Sequence, residues 1–312
     1  MKADSEKGGN GMLGYLFVVG ALAAGVTKGY CGKKTSGLIQ GTRATFWFNA
    51  VRMLLCIPIG FLFVLSAGDL SALSVDWLTL LISAVSGIST AMFVVTWIGC
   101  VRWGAYMMVD VFITLGTVIP MTLCMVLFGE TVGVFQIIGL LLLVFAAYLM
   151  CTYHKKLSEG SRLRVGQCLL LVLCGASNGL TQFSQKWLRY AGDTDVSVFN
   201  FYTYIVAAGV LVLCAVLYRE PGTGGESAEK RVNLRRLGLY VVIMSGCLFF
   251  HSFCSTAAAG YLPSSRLYPL MQGSSLVLSM LMSAVCFGER ITVRCVIGIS
   301  VTFAALLCIN LL

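Results

Sequence analysis

Charge is what this sequence has least of. Only 11% of its 312 residues are charged, 22 basic and 13 acidic, while 58% are hydrophobic and the mean hydropathy is +0.89. Soluble domains carry about 25% charged residues, so this chain could not cover a water-facing surface of its size. Histidine is nearly absent, with His154 in a polar stretch and His251 in an apolar one. Acid–base and metal catalysis need His, Asp, Glu or Ser in groups. No such group is visible, so no enzyme activity, cofactor or metal is expected. Thirteen cysteines are present, yet no CxxC pair or Cys/His cluster at zinc spacing occurs. Most lie singly in apolar runs and read as small buried hydrophobes rather than a disulfide framework. The sequence GTGG at 222–225 lacks a following Gly-Lys-Ser/Thr and so is no phosphate-binding loop. The net charge of +9 sits between apolar runs, which argues against nucleic acid as a partner.

What is present is a succession of long apolar runs. A bilayer core takes about 20 apolar residues per helix. Interruptions by charge, Gly/Pro and polar clusters delimit ten segments: 11–31, 44–66, 77–99, 103–128, 131–152, 165–188, 197–218, 236–258, 262–287 and 291–312. The fold class expected is an all-α integral membrane protein with ten transmembrane helices. Charged stretches at 153–164 and 219–235 are the longest connections. Lys2 and Lys7 before Ala21-Leu22-Ala23 give the outline of a signal peptide, but the apolar run continues to Thr27. The first segment is read as a span.

The chain repeats itself. Phe128-Gly129-Glu130 recurs as Phe287-Gly288-Glu289, 159 residues on, and at that shift Gly139 falls on Gly298, Ala146 on Ala305 and Ser86-Gly87 on Ser245-Gly246. Earlier in each half the match loosens, with Lys28 answering Lys186 and Phe48-Asn49 answering Phe199-Asn200. Five helices per half is an odd number, so the second half enters the membrane from the opposite side. The expected domains are 1–152 and 165–312, two inverted five-helix repeats joined by the charged linker 153–164, around a central cavity near the midplane.

An ordered set of residues then carries a resemblance. A lysine late in helix 1 (Lys28), an arginine in helix 2 (Arg52) and a long helix 4 running through Pro120 into Phe-Gly-Glu are followed by Gly139 one-third along helix 5. The second half repeats the close with FGER and Gly298. This pattern resembles the drug/metabolite transporter superfamily, specifically its ten-helix EamA-like family, over nearly the whole chain. The resemblance implies transport of small organic solutes across the cytoplasmic membrane. It names no substrate and leaves open proton or solute counter-transport. The second half departs from it by having Thr203 or Tyr204 near the position answering Arg52. A multidrug exporter of the same fold is the nearest alternative, with a polytopic channel or receptor further off.

Loop charges orient the chain. The loops joining helices 1–2, 3–4, 5–6, 7–8 and 9–10 hold fifteen Lys and Arg residues, against four on the other side with both termini included. Both termini are therefore expected outside the cell. Lys28, Arg52, Asp110, His251 and Arg266 fall within spans, with Lys186 at a helix end. A charge at the bilayer centre costs about 2.5–3.5 kcal/mol on insertion scales, so such groups face a cavity or a partner. Arg52 is expected to pair with Asp110 on the cytoplasmic side, with Lys28 nearby, and His251, Arg266 and Lys186 to form a second cluster toward the outer face. Asn49, Gln182, Gln185, Asn200 and Tyr268 are the uncharged polar groups that could line the cavity. The expected substrate-binding set is thus Lys28, Asn49, Arg52, Asp110, Gln182, Lys186, Asn200, His251, Arg266 and Tyr268. Glu130 and Glu289 read as caps of the helix that follows each, and Gly175–Gly179 and Gly25–Gly29 as small-xxx-small packing patterns. Four cations against Asp110 as the one acid favour an amino-acid-like or otherwise carboxylate-bearing metabolite.

Overall fold

A computed structural model describes residues 2–39, 41–67, 73–102, 106–157, 165–192, 194–218, 234–287 and 293–311. Ser71, Trp103, Gly224 and Glu289 lie outside them. Among the described residues the chain is helical: α1 (Lys2–Ser36), α2 (Thr42–Ala67), α3 (Trp77–Arg102), α4 (Tyr106–Gly116), α5 (Val118–Phe128), α6 (Val134–Leu157), α7 (Val165–Ala191), α8 (Val196–Leu217), α9 (Leu234–Tyr261), α10 (Ser264–Phe287) and α11 (Val293–Leu311). All ten segments read from the sequence are found, and the fourth is split in two.

Six of these helices, α1, α2, α3, α8, α9 and α10, are long and apolar enough to cross a bilayer. Shorter apolar stretches lie at Phe112–Phe128, Val134–Ala146 and Val296–Ile309. The long helix α7 falls outside that set because Asn178, Thr181, Gln182, Gln185 and Lys186 occupy it. Leucines, valines and phenylalanines such as Leu62, Val126, Leu141, Val216 and Val285 are exposed around the outside, as expected of a surface solvated by lipid. The protein is an integral membrane protein.

The break in the fourth span has a local cause. Proline has no N–H to donate, so Pro120 leaves the Gly116 carbonyl without its i+4 partner. Thr117 tightens the chain there instead: its N–H and its Oγ1 both donate to the Thr114 carbonyl, at 3.1 and 2.7 Å. Pro58 and Pro269, by contrast, are carried inside continuous helices.

Packing crosses between the two halves of the chain. Helix α1 lies along α9, α3 along α7, α2 along α8 and α6 along α11, with lesser contacts of α3 with α8, α2 with α9, α4 with α7 and α1 with α10. Without a hydrophobic drive between helices in lipid, small residues that let backbones touch set such contacts. Between α4 and α7 the approach is extreme. A Cβ on Gly175 would lie 2.2 Å from the Phe112 carbonyl oxygen, and one on Gly116 2.2 Å from that of Gly175. Gly179 meets the Gly116 oxygen in the same way, at 2.4 Å. The Gly175–Gly179 pattern is therefore a packing device. Gly25–Gly29 is not only that, since both line the cavity described below. Because the obstacles at Gly175 are backbone atoms, Gly175→Val must push α4 from α7. It should cost about 3 kcal/mol, as overpacking does, and appear as a lowered melting temperature and a broadened size-exclusion peak in detergent.

Candidate functional site

A cavity of about 120 Å³ lies between α1, α2, α3, α4, α7, α8, α9 and α10. One water needs roughly 10–15 Å³ on this measure, so the space suits a compact organic molecule. Its charged lining comes from the first half of the chain: Lys28 on α1, Arg52 on α2 and Asp110 on α4. The second half supplies hydrogen-bonding groups at helical spacing: Asn178, Gln182 and Gln185 on α7, Ser252 and Ser255 on α9, and Gln272, Ser275 and Ser279 on α10. Phe93, Trp97 and Tyr204 complete the wall with aromatic surface.

Arg52 is almost wholly buried, 2% exposed. Asn49 holds it in place. The Asn49 amide donates to the Thr45 carbonyl at 3.0 Å, and its Oδ1 accepts from Arg52 at 2.8 Å. The guanidinium carbon sits 5.7 Å from the centre of the Phe48 ring, a distance at which a cation and the ring face attract. Arg52 Nε has no partner. Lys28 reaches inward over the Phe93 ring, 6.0 Å from its centroid, and is not a snorkelling residue. His251 Nδ1 lies 2.8 Å from the Ala21 carbonyl oxygen. That bond makes Nδ1 the protonated nitrogen and leaves Nε2 an acceptor.

Asp110 overturns one expectation. It forms no ion pair with Arg52: the Ser279 hydroxyl hydrogen-bonds the carboxyl, and its Oδ2 is buried with no donor among the described residues. Asn178 Nδ2 and Gln182 Oε1 are likewise buried and without partners. Buried polar groups are nearly always satisfied. Four cavity-lining residues, Arg52, Asp110, Asn178 and Gln182, thus each present one donor or acceptor with no protein partner, the pattern of a site built for an occupant.

Of the ten residues expected to bind substrate, Lys28, Arg52, Asp110, Gln182 and His251 line this one cavity. The two separate clusters foreseen on either side of the midplane are not found: His251 joins Lys28. Asn49 and Asn200 stand behind the wall. Asn200 Oδ1 accepts from Ser252 at 2.6 Å, and Ser252 in turn meets Gln185 at 3.4 Å. Tyr268, fully buried, donates to the Gln182 carbonyl at 2.6 Å and so fixes α10 to α7. Arg266 lies in the first turn of α10, away from the cavity.

Lys186 is also elsewhere. Its ammonium lies 3.2 Å from Glu130 and donates to the carbonyls of Ala259 and Leu262, at 2.9 and 2.7 Å. It therefore does not answer Lys28. The better match sets Gly25-Val-Thr-Lys28 on Gly179-Leu-Thr-Gln182, and both of those fourth residues face the cavity. Glu130 caps a helix, as expected, but not the next one. Its carboxylate accepts from the Ser264 backbone N–H at 2.9 Å, from the Ser264 hydroxyl, and from Tyr190 at 2.7 Å. Ser264 opens α10, so the cap bridges the two halves. Burial alone would raise the Glu130 pKa; the Ser264 and Tyr190 hydrogen bonds and the Lys186 charge together hold it below the ordinary carboxylate value. Phe128 stacks on Tyr190 beside it, with ring centres 4.3 Å apart.

Reading residue by residue found the charges and missed most of the neutral wall. Gln182 and Gln185 were legible; the signal for the rest was their spacing, with Asn178 one turn before Gln182 and Gln272/Ser275/Ser279 on one helix face within an apolar run, the inverse of an ordinary amphipathic stripe.

Comparison with known proteins agrees with this architecture. The model of the EamA-like transporter family matches residues 166–311. The match lies within the second half of the chain. The EamA-like family is part of the drug/metabolite transporter superfamily, and its members are transporters. A protein crystal structure superposes on this chain with a TM-score of 0.73 at 14% identity. The match covers 96% of this chain and 97% of that one, so the fold extends over both halves. No curated protein matches the sequence.

Proposed function

We propose that the protein is a secondary transporter that moves small organic metabolites across the plasma membrane by alternating access, with a carboxylate-bearing, amino-acid-like solute in the central cavity. The observation that carries this reading is the set of unpartnered buried groups around that cavity, with Arg52 and Lys28 close together. A guanidinium binds a carboxylate through paired N–H donors. Asp110 and Gln182 offer acceptors for an ammonium, which an amino acid would supply.

Two inverted repeats, 1–152 and 165–312, support alternating access. Exchanging the five spans of one half for those of the other turns α1–α9 into α7–α3, α3–α8 into α9–α2 and α4–α7 into α10–α1, while α2–α8 and α6–α11 map onto themselves. Each of these contacts is present. Rocking one repeat against the other about a midplane site is the motion such symmetry permits. Cross-links between the cytoplasmic ends of the fourth and ninth spans, searched around Trp103 and Phe287, should abolish transport. Full activity in securely cross-linked protein would count against rocking.

The fifteen-to-four bias of basic residues supports termini outside. On a background cleared of accessible thiols, a cysteine at Ser71 should be labelled from outside and one at Gly224 should not. The opposite pattern inverts the orientation and leaves the cavity unchanged.

A second reading has one observation in its favour. The open Asp110 carboxylate would also suit a cationic drug, as in a multidrug exporter of the same fold. The two separate in a thermal-stabilisation screen of L-amino acids, mono- and dicarboxylates and quaternary ammonium compounds, because a ligand of the folded state raises apparent stability. Hits would be carried into proteoliposome counterflow, where saturable exchange marks a carrier. Binding by quaternary ammonium compounds alone, lost in Asp110→Asn, would favour the exporter.

A further inference from the structure

We propose that Asp110 is a proton-binding site opening on the translocation cavity, so that the proton is an ion this carrier can couple to. The proposal deepens the transport reading above and rests on the geometry around one side chain. Asp110 lines the cavity from α4, seven residues before the helix breaks at Thr117. Ser279 hydrogen-bonds the carboxyl, but its Oδ2 is out of reach of solvent and of every donor among the described residues. An ionised carboxylate in that position has the Ser279 hydrogen bond on one side and none at Oδ2, fewer than normally offset its burial.

The neighbours do not repair this. Arg52, the guanidinium in the same cavity, is engaged by Asn49 and Phe48. Helix α10 presents the Ser279 hydroxyl, and α7 presents Cys174, which is itself beside Cys100 of α3. Lys33 of α1 acts on Asp110 through its charge, and its ammonium donates to Ser283 at 3.2 Å. Arg102, at the end of α3, is turned to Thr45 at 2.6 Å. α5 carries no charged residue, and α6 none among its described side chains. Lys28, His251 and Tyr204 are the remaining ionisable groups of the cavity wall; all three stand with Arg52, and the Tyr204 hydroxyl donates to the Leu248 carbonyl at 3.2 Å.

A proton satisfies the Oδ2 that no described side chain reaches. Transfer from a hydronium ion to Oδ2 forms one O–H bond, releases water and leaves a neutral acid. That acid can donate to the Ser279 hydroxyl or to a cavity water. Loss of the proton to water on the opposite side reverses the step, with nothing oxidised or reduced.

Dicyclohexylcarbodiimide tests this on the full-length protein in lipid nanodiscs. It adds only to the acid form: the carboxyl proton passes to a carbodiimide nitrogen while the carboxylate oxygen bonds the central carbon. Peptide mass mapping should find the adduct on Asp110, with the labelled fraction falling roughly tenfold per pH unit above its midpoint. Asp110→Asn should carry no adduct in that peptide. Labelling that is independent of pH would overturn the proposal. Should the reagent fail to label Asp110 at any pH, infrared difference spectra of wild type against Asp110→Asn decide. A carboxylic C=O band that titrates, and that shifts in Ser279→Ala, upholds the site. A carboxylate signature at every pH refutes it. Neither readout uses a transported solute, so failure here leaves the transport reading standing, and a failed counterflow assay leaves this one standing.

Discussion

Replacing Arg52 with Gln should raise the apparent KM for a carboxylate substrate roughly ten- to hundredfold, the loss of a charge-assisted hydrogen bond worth about 1.5–3 kcal/mol. The expectation follows from the one-sided engagement of the side chain. Asn49 takes one terminal nitrogen at 2.8 Å, Phe48 covers a face of the guanidinium, and Nε is left open. Glutamine keeps a donor near the Asn49 oxygen but has no charge and no fork. Arg52→Lys restores the charge without the fork, so it should recover only part of the affinity if the carboxylate is held bidentately. Counterflow in proteoliposomes measures both variants. An unchanged KM in a well-folded Arg52→Gln would remove Arg52 from the binding site. A melting temperature equal to wild type separates lost binding from lost fold.

Breaking the Glu130–Lys186 pair should lower stability as much as overpacking the α4–α7 contact. Lys186→Met leaves the Glu130 carboxylate in a largely buried position, with a side-chain exposure of 7%. Removing one partner of a buried pair costs 3–5 kcal/mol, and the low end, about 3 kcal/mol, is expected at this helix end. Two carbonyls, those of Ala259 and Leu262, lose their donor as well. The pair joins the end of α5 to α7 and to the start of α10, so its loss should also loosen that end of the bundle. Opening is read as faster labelling of a cysteine placed at Gly192.

The pH dependence has a definite sign. The Glu130 pKa is held below its ordinary value, so its stabilisation is present above the unfolded-state pKa, about 4.3. It is lost as pH falls through the folded value. Glu130→Gln should flatten this acid limb of the melting curve. A limb that persists unchanged in Glu130→Gln must come from another carboxylate.

The sequence alone determined the class and the spans. Thirty-five charges in 312 residues exclude a water-covered surface, and ten apolar runs each near the thickness of a bilayer leave one architecture. These are sums over many residues, so local exceptions do not disturb them. It also picked out Lys28, Arg52 and Asp110, the charges that line one cavity, because an ion in an apolar run is costly wherever its side chain points. What it could not decide was direction and partner. Lys28 and Lys186 look alike in sequence, yet one reaches over Phe93 into the cavity and the other is held by Glu130, Ala259 and Leu262. Arg52 and Asp110 lie at similar depths, but α4 is locked to α7 by Gly116, Gly175 and Gly179, and the carboxylate meets Ser279 instead. Glu130 caps a helix 134 residues away, not the one that follows it. Each outcome was set by helix rotation and by which helices touch. Those are fixed by backbone contacts between the two halves, and spacing along a single helix carries no record of them.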